Sequence, residues 1–299
     1  MRRETSNGSM SRRLVLGSGA LLPLAMSGGR ADAALPPAPY KLSINIEIMF
    51  PRSMPRDKRM EAVAAQGFRA YSFWRTTEQE QVAMLEAQKR LGLKCVSVVG
   101  SGPAGRLTGL TKPGAEQQWL DEVTAGVKIA EKFGGADAII FVGELQADVS
   151  WETQRRGIVN GLRKAGDIAK QHGVCLTLEP LSRYESPRQA IVMASEAFPI
   201  VAEVAHPNVK VCFDLYHLQL SEGNLTNNLK LGWEKGWIRI VQVGDVPGRK
   251  EPGTGETNYP HIFRTLREIG YNGYLDTEHG TTSTPEHAMD VVKRLSVEN

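Results

Sequence analysis

Apolar positions along most of this chain alternate between two rhythms. Short runs rich in Val, Ile, Leu and Cys lie at 41–48 (KLSINIEI), 68–74 (FRAYSFW), 94–100 (KCVSVVG) and 138–143 (AIIFVG). Four more lie at 174–179 (VCLTLE), 209–214 (VKVCFD), 238–243 (IRIVQV) and 273–278 (GYLDTE). Several are nearly continuous in apolar residues, which predicts strands buried on both faces, as in a parallel sheet. The gaps place apolar residues three and four apart, predicting helices over 58–66, 78–91, 116–133, 151–172, 187–204, 259–269 and 285–295. Ser150 and Thr284 suit helix N-caps, with Pro285 at a first helical position. Gly67, Gly92, Gly134, Gly173 and Gly270 stand where a helix must turn left-handed before the next strand. Eight strand–helix units predict one (β/α)8 TIM barrel over 40–299. A doubly wound open sheet is the alternative, but no GxGxxG follows the first strand.

The first 33 residues break this rhythm. Arg12 and Arg13 precede an apolar stretch from Leu14 to Met26, and Ala31-Asp32-Ala33 offers small residues for cleavage. The order predicts a secretory signal of the twin-arginine type and a periplasmic or exported protein. The apolar stretch is shorter than the roughly 20 residues a bilayer-spanning helix needs.

Cleavage would change the charge balance. The full chain has 36 basic and 33 acidic residues, and the first 33 positions hold five of the former and two of the latter. The remainder carries 31 of each, a formal net charge of zero. No basic field is left to attract nucleic acid, and a small-molecule substrate is expected instead. The sequence leaves homo-oligomerisation open. Three cysteines, Cys95, Cys175 and Cys212, sit in the predicted strands and read as reduced, buried hydrophobes.

Chemistry concentrates in the second half. Glu179, Asp214, Gln242 and Glu278 each stand at the C-terminal end of a predicted strand, the fifth to the eighth. Strands of a barrel end on one face, so the four side chains can converge there. One such carboxylate could as well cap a helix. Three together would repel one another unless a cation or protons intervened. As hard oxygen ligands they suit a divalent ion, Mg²⁺ or Mn²⁺. His217, three residues after Asp214, falls at the barrel mouth, where it could bond a substrate oxygen or a loop carbonyl. The loop Glu251-Pro252-Gly253-Thr254-Gly255-Glu256 is glycine-rich, but it has no P-loop lysine and carries two glutamates. An unphosphorylated substrate follows. Trp74 and Phe73, ending the second strand, either wall the pocket or pack in the core.

The segments LEPLS, FDLYHLQLSEGNLT (213–226), VQVGDVPGR, EPGTGETNY (251–259) and TEH closely resemble those of the hydroxypyruvate isomerase family. That family belongs to the sugar isomerases and epimerases with a xylose isomerase-like barrel. The likeness is dense from Glu179 to Glu278 and thin before it. It implies that Glu179 and Glu278 both ligate the metal and move the proton, with Asp214 and Gln242 completing the ligand set. Related ketose 3-epimerases usually have histidine where Gln242 stands, so Gln242 tilts the reading toward hydroxypyruvate isomerase. Arg249 matches the family's spacing and is expected to pair with a substrate carboxylate. Glu185 matches a glutamate that contacts substrate in the epimerases.

The resemblance implies isomerisation of hydroxypyruvate to tartronate semialdehyde through an enediolate. The alternatives are a 3-epimerase or isomerase of a larger free sugar, and an exported barrel that binds sugar without turnover. An endonuclease of related fold would need several metals, many histidines and a basic surface, whereas the chain has six histidines.

Overall fold

The computed structural model describes residues 37–298. The proposed signal, with Arg12, Arg13 and its cleavage site, lies outside the described residues. Eight parallel strands close into a barrel in sequence order. They are β1 (Lys41–Asn45), β2 (Ala70–Phe73), β3 (Lys94–Val99), β4 (Asp137–Ile140), β5 (Leu176–Leu178), β6 (Val209–Asp214), β7 (Ile238–Val243) and β8 (Tyr274–Thr277). The helices are α1 (Arg56–Ala65), α2 (Glu78–Leu91), α3 (Pro103–Arg106), α4 (Glu116–Lys132) and α5 (Trp151–Gln171). They continue with α6 (Ala194–Val204), α7 (Leu215–Ser221), α8 (Leu225–Glu234), α9 (Tyr259–Glu268) and α10 (Pro285–Glu298). No helix among the described residues is long and apolar enough to cross a membrane.

The predicted (β/α)8 class holds, and the local signals explain it. Ser150 Oγ accepts the N–H of Thr153 at 3.3 Å, and Thr284 Oγ1 that of His287 at 3.2 Å. The five glycines expected to close helices all have φ between 62° and 94°, a left-handed region that disfavours a Cβ. Cys95 and Cys212 are buried in strands, whereas Cys175 is half-buried just before β5, and all three are free thiols.

Several predicted elements change at their ends, and α3, α7 and α8 add to those the pattern predicts. β1 stops at Asn45, whose side-chain oxygen takes the N–H of Glu47 at 2.9 Å and turns the chain out of the sheet. The helix expected from Pro187 begins at Ala194. Residues before it run beside the end of β4 instead, through an Ala190 N–H to Gly143 O bond of 3.0 Å. The Glu196 carboxylate, accepting from Val192 and Met193 at 2.9 and 3.2 Å, marks the new start. α7 was hidden in the sequence because Leu215, Tyr216 and Leu218 continue the apolar run of β6 without a break.

Two packing features matter for the site. Trp119 of α4, fully buried, donates from its indole to Phe141 O at 2.8 Å. Ser101 Oγ accepts the Phe141 N–H at 2.7 Å. Together they fix Phe141 at the exit of β4.

Candidate active site

Register places the predicted ligands side by side. Asp214 of β6 lies opposite Gln242 of β7, and Gln242 opposite Asp276 of β8. Glu179 and Glu278 each follow their strand by one residue. Their N–H groups bond Ile140 O at 3.1 Å and Val243 O at 3.0 Å, so both leave the barrel at its C-terminal rim. All four side chains are buried: Glu179 is 6% exposed, Asp214 1%, Gln242 0% and Glu278 5%. The side chains expected to converge do converge.

Burial and mutual repulsion act on the carboxyls. Glu179 is raised well above its ordinary range, first by burial and then by Glu278 and Asp214. Glu278 is pushed up to about 7 by burial, partly countered by Arg249. The cluster holds three carboxylates and one inserted cation. Arg249 Nη2 bonds Asp214 Oδ2 at 2.7 Å and lies 3.5 Å from Glu278 Oε1, while its Nε donates to Glu278 O at 3.0 Å. Its backbone stands at φ 51°, a strained setting for a non-glycine residue. Bonds from Arg249 N to Asp245 O (2.9 Å) and from Gly280 N to Arg249 O (2.8 Å) hold it there. The guanidinium expected to meet a substrate carboxylate thus has two of its donors committed inside the protein.

His217 faces the same carboxylates. Its Nδ1 accepts the Ser182 N–H at 3.1 Å, and Nε2 lies 3.7 Å from Glu179 and 3.6 Å from Asp214. Burial pulls its pKa down to about 4, so the ring is neutral near pH 7. With Nδ1 accepting, the proton sits on Nε2, which then offers a donor. The loop partner of His217 is therefore an amide, not the carbonyl weighed from the sequence. Glu185 lies further out, accepting from Tyr216 Oη at 2.7 Å.

Glu179, Glu185, His217, Arg249 and Glu278 line a cavity of about 460 Å³, an ordinary size for a small-molecule site. Val99, Ile139, Phe141 and Leu181 give apolar wall, and Trp74, Arg75 and Arg106 complete the rim. Of the two aromatic residues ending β2, Phe73 is core at 1% exposed and Trp74 is rim at 37%. Arg75 and Arg106 escaped the sequence reading. Arg106 ends a four-residue helix inside a long β3–α4 connection that has no periodicity to place it.

The glycine-rich loop is full. Asp245, completely buried, accepts N–H bonds from Val246, Gly253, Gly255 and Thr257 at 2.8, 2.8, 2.9 and 3.2 Å. Those amides are the ones a phosphate would have used. Glu251 turns away and takes the Thr282 N–H at 3.0 Å. In this loop the amides are taken by an internal carboxylate and are not free for a phosphate.

A divalent cation fits this donor set. Glu179, Asp214 and His217 bring ligand atoms within 4.8 Å of one another. His217 is a donor in the tautomer its bond to Ser182 imposes, which leaves oxygen ligands. With all three carboxyls deprotonated against one guanidinium, the cluster would carry two buried negative charges, the charge of one such ion. Gln242 has its amide nitrogen on Glu278 and its oxygen 3.0 Å from Cys212 Sγ. Ligation requires the amide turned over, and its oxygen would face Glu278 comfortably only with a cation between them.

Residues 60–295 match the model of the xylose isomerase-like TIM barrel family. The hydroxypyruvate isomerase of Escherichia coli K12 is 29% identical over 234 residues, covering 77% of this chain and 90% of that protein. A 2-oxo-tetronate isomerase of Haemophilus influenzae is 31% identical over 248 residues, covering 80% and 93%. A crystal structure from Brucella melitensis, described as an AP endonuclease of family 2, superposes with a TM-score of 0.76 at 26% identity, covering 85% of this chain and 98% of that one.

Proposed function

This chain belongs to the xylose isomerase-like TIM barrel family, and we propose that it is a metal-dependent isomerase of small 2-oxo acids, with hydroxypyruvate and tartronate semialdehyde as the pair to test first. It is an enzyme of the isomerase kind, as are the named relatives. The observation that carries the proposal is a pair of buried glutamates in one cavity, one of them poised at about 7. A carboxyl with that pKa can both take and return a proton near neutral pH.

Glu179, Asp214, Gln242 and Glu278 would hold the ion, and an all-oxygen set favours Mg²⁺ or Mn²⁺. When bound, it supplies charge that stabilises oxygens turning anionic in the reaction. The chain's residues do the rest. One of Glu179 and Glu278 removes the proton from the hydroxyl-bearing carbon, giving an enediolate, and one returns a proton to the neighbouring carbon. His217 offers its Nε2 proton to an oxygen of the reacting carbons. Arg249, paired with Asp214 at 2.7 Å, places its charge beside them. The apolar wall of Ile139, Phe141 and Leu181 limits water at the exposed carbanion.

Cutting a nucleic-acid backbone is disfavoured by the neutral charge of the chain after residue 33 and by a single cluster of metal-ligand type among the described residues. We further propose export, with residues 1–33 as the signal. The test of function is ¹H NMR of hydroxypyruvate in D₂O with Mn²⁺ or Mg²⁺ added. Solvent deuterium should enter carbon 3, and tartronate semialdehyde should accumulate. Exchange at carbon 3 of free ketoses, with hydroxypyruvate untouched, would replace this reading with the epimerase. No exchange in either would leave a binding protein.

A further inference from the structure

We propose that Arg106, laid against the face of Phe141, is the residue that selects an anionic substrate by receiving its carboxylate. The proposal rests on the isomerase reading only for where the reacting carbons lie.

Four guanidinium groups line the cavity, from Arg56, Arg75, Arg106 and Arg249. Two are already neutralised. Arg56 pairs with Glu47 at 2.8 Å and also with Glu80, while Arg249 pairs with Asp214. Among the described residues, Arg75 and Arg106 have no carboxylate within ion-pair distance. Arg75 spends its Nε on Ser101 O at 2.8 Å. Among the described residues, the side-chain N–H groups of Arg106 meet no acceptor.

Arg106 is nonetheless held. Its Cζ lies 4.0 Å from the centroid of the Phe141 ring, and Phe141 is itself fixed by Trp119 and Ser101. The Arg106 carbonyl accepts from Gln189 Nε2 at 2.8 Å, tying α3 to the loop before α6. A guanidinium stacked on a ring through its face keeps its edge free, and that edge is what meets a carboxylate in two parallel bonds. Arg106 lines the same cavity as Glu179, His217 and Glu278, which sets it toward the reacting end.

The cavity is therefore polarised. Carboxylates gather at the strand ends of β5, β6 and β8, and two uncompensated guanidinium groups stand on the β2 and β3 side. An anionic substrate has one favourable orientation, with its carboxylate turned to Arg106 and its carbonyl toward Glu179 and Glu278. This moves carboxylate recognition from Arg249, whose Nη2 and Nε are committed, to a residue in a segment without sequence periodicity.

The test compares hydroxypyruvate with dihydroxyacetone, in which a hydroxymethyl group replaces the carboxylate. In Mg²⁺-loaded Arg106→Ala, KM for hydroxypyruvate should rise roughly 10- to 100-fold, as expected for loss of a charge-assisted pair, with kcat nearly unchanged. KM for dihydroxyacetone should stay within about threefold, because it presents no charge to lose. Arg106→Lys keeps the charge without the fork and should fall between. Equal losses on both substrates, or an unchanged KM for hydroxypyruvate in Arg106→Ala, would overturn the assignment. If the wild type turns over neither compound, the isomerase reading fails by itself, and calorimetry with D-glycerate still reads the subsite. Glycerate binding weakened in Arg106→Ala supports the site, and equal binding in both proteins removes it. Thermal melts of each variant confirm that the fold is kept.

Discussion

The indole N–H of Trp74 donates to Oε1 of Glu278 at 2.9 Å, a bond between residues 204 positions apart that crosses the mouth from β2 to β8. It is one of the bonds that favour the ionised form of Glu278 against the burial that raises its pKa. Trp74→Phe keeps the ring and removes the donor, so Glu278 should move further up from about 7. The acidic limb of the pH profile of kcat/KM should shift to higher pH, with activity recovered above it. A limb that does not move would separate Trp74 from the proton-transfer step.

Glu179→Gln and Glu278→Gln should each lower kcat by at least ~100-fold, the lower range for loss of a positioned acid or base. Circular dichroism should be unchanged, since glutamine fills the same space. Solvent-deuterium incorporation is the sharper readout. A variant that still exchanges the carbon-bound proton at the wild-type rate retains the true base.

Asp214 both caps α7, through the Tyr216 N–H at 2.9 Å, and faces the cluster. Asp214→Asn preserves the cap acceptor and removes the charge. Its affinity for Mn²⁺ by calorimetry should fall at least ~10-fold, because a neutral amide replaces a charged ligand. Full affinity in this variant would refute the ligand set.

The pKa shifts set a sign for metal and pH together. Glu278 stands at about 7 against an ordinary 4.5, and Glu179 is also raised. A raised carboxyl contributes stability that is complete below 4.5 and lost as pH climbs through about 7. A divalent ion needs the ionised carboxylates and reverses that loss. The stabilisation by Mn²⁺, read as a rise in Tm, should therefore be small at pH 5 and largest at pH 8, where it amounts to about 2.7 kcal/mol at 100 times Kd. His279, pulled by burial to about 4 from an ordinary 6.5, works in the other direction in both forms, losing stability as pH falls through that window. Comparing melts with and without metal cancels it. A gain independent of pH would exclude these carboxylates as ligands.

Export is checked by replacing Arg12 and Arg13 with Lys. Precursor should accumulate in the cytoplasm, and unchanged periplasmic recovery on fractionation would refute the twin-arginine assignment.

Much of the barrel was legible because its signals are local. Continuous Val and Ile runs mark strands buried on both faces, and a left-handed Gly just past α1, α2, α4, α5 and α9 marks where each ends. α2 matches its expected bounds at both ends for this reason, with Thr77 and Glu80 forming a capping box. Glu179, Asp214, Gln242 and Glu278 were legible because strand ends converge whatever the loops do. What the loops do was not. Arg249 was placed by spacing, yet its direction is set by a left-handed backbone and by Asp214 across the mouth. Arg106 and Trp74 owe their roles to Phe141 and Glu278, partners 35 and 204 positions away in the chain. Such pairings leave no periodic trace.

Asp245 has an entropic consequence. Four amides between Val246 and Thr257 are bound to a carboxylate from the same chain, so this segment closes before any substrate arrives. Ordering a residue costs about 1–2 kcal/mol of backbone entropy, and here folding has already met that cost. Arg249, carried in the same segment, stands beside Asp214 from the outset. The loop that carries Arg249 is therefore ordered by its own carboxylate and does not need substrate to order it.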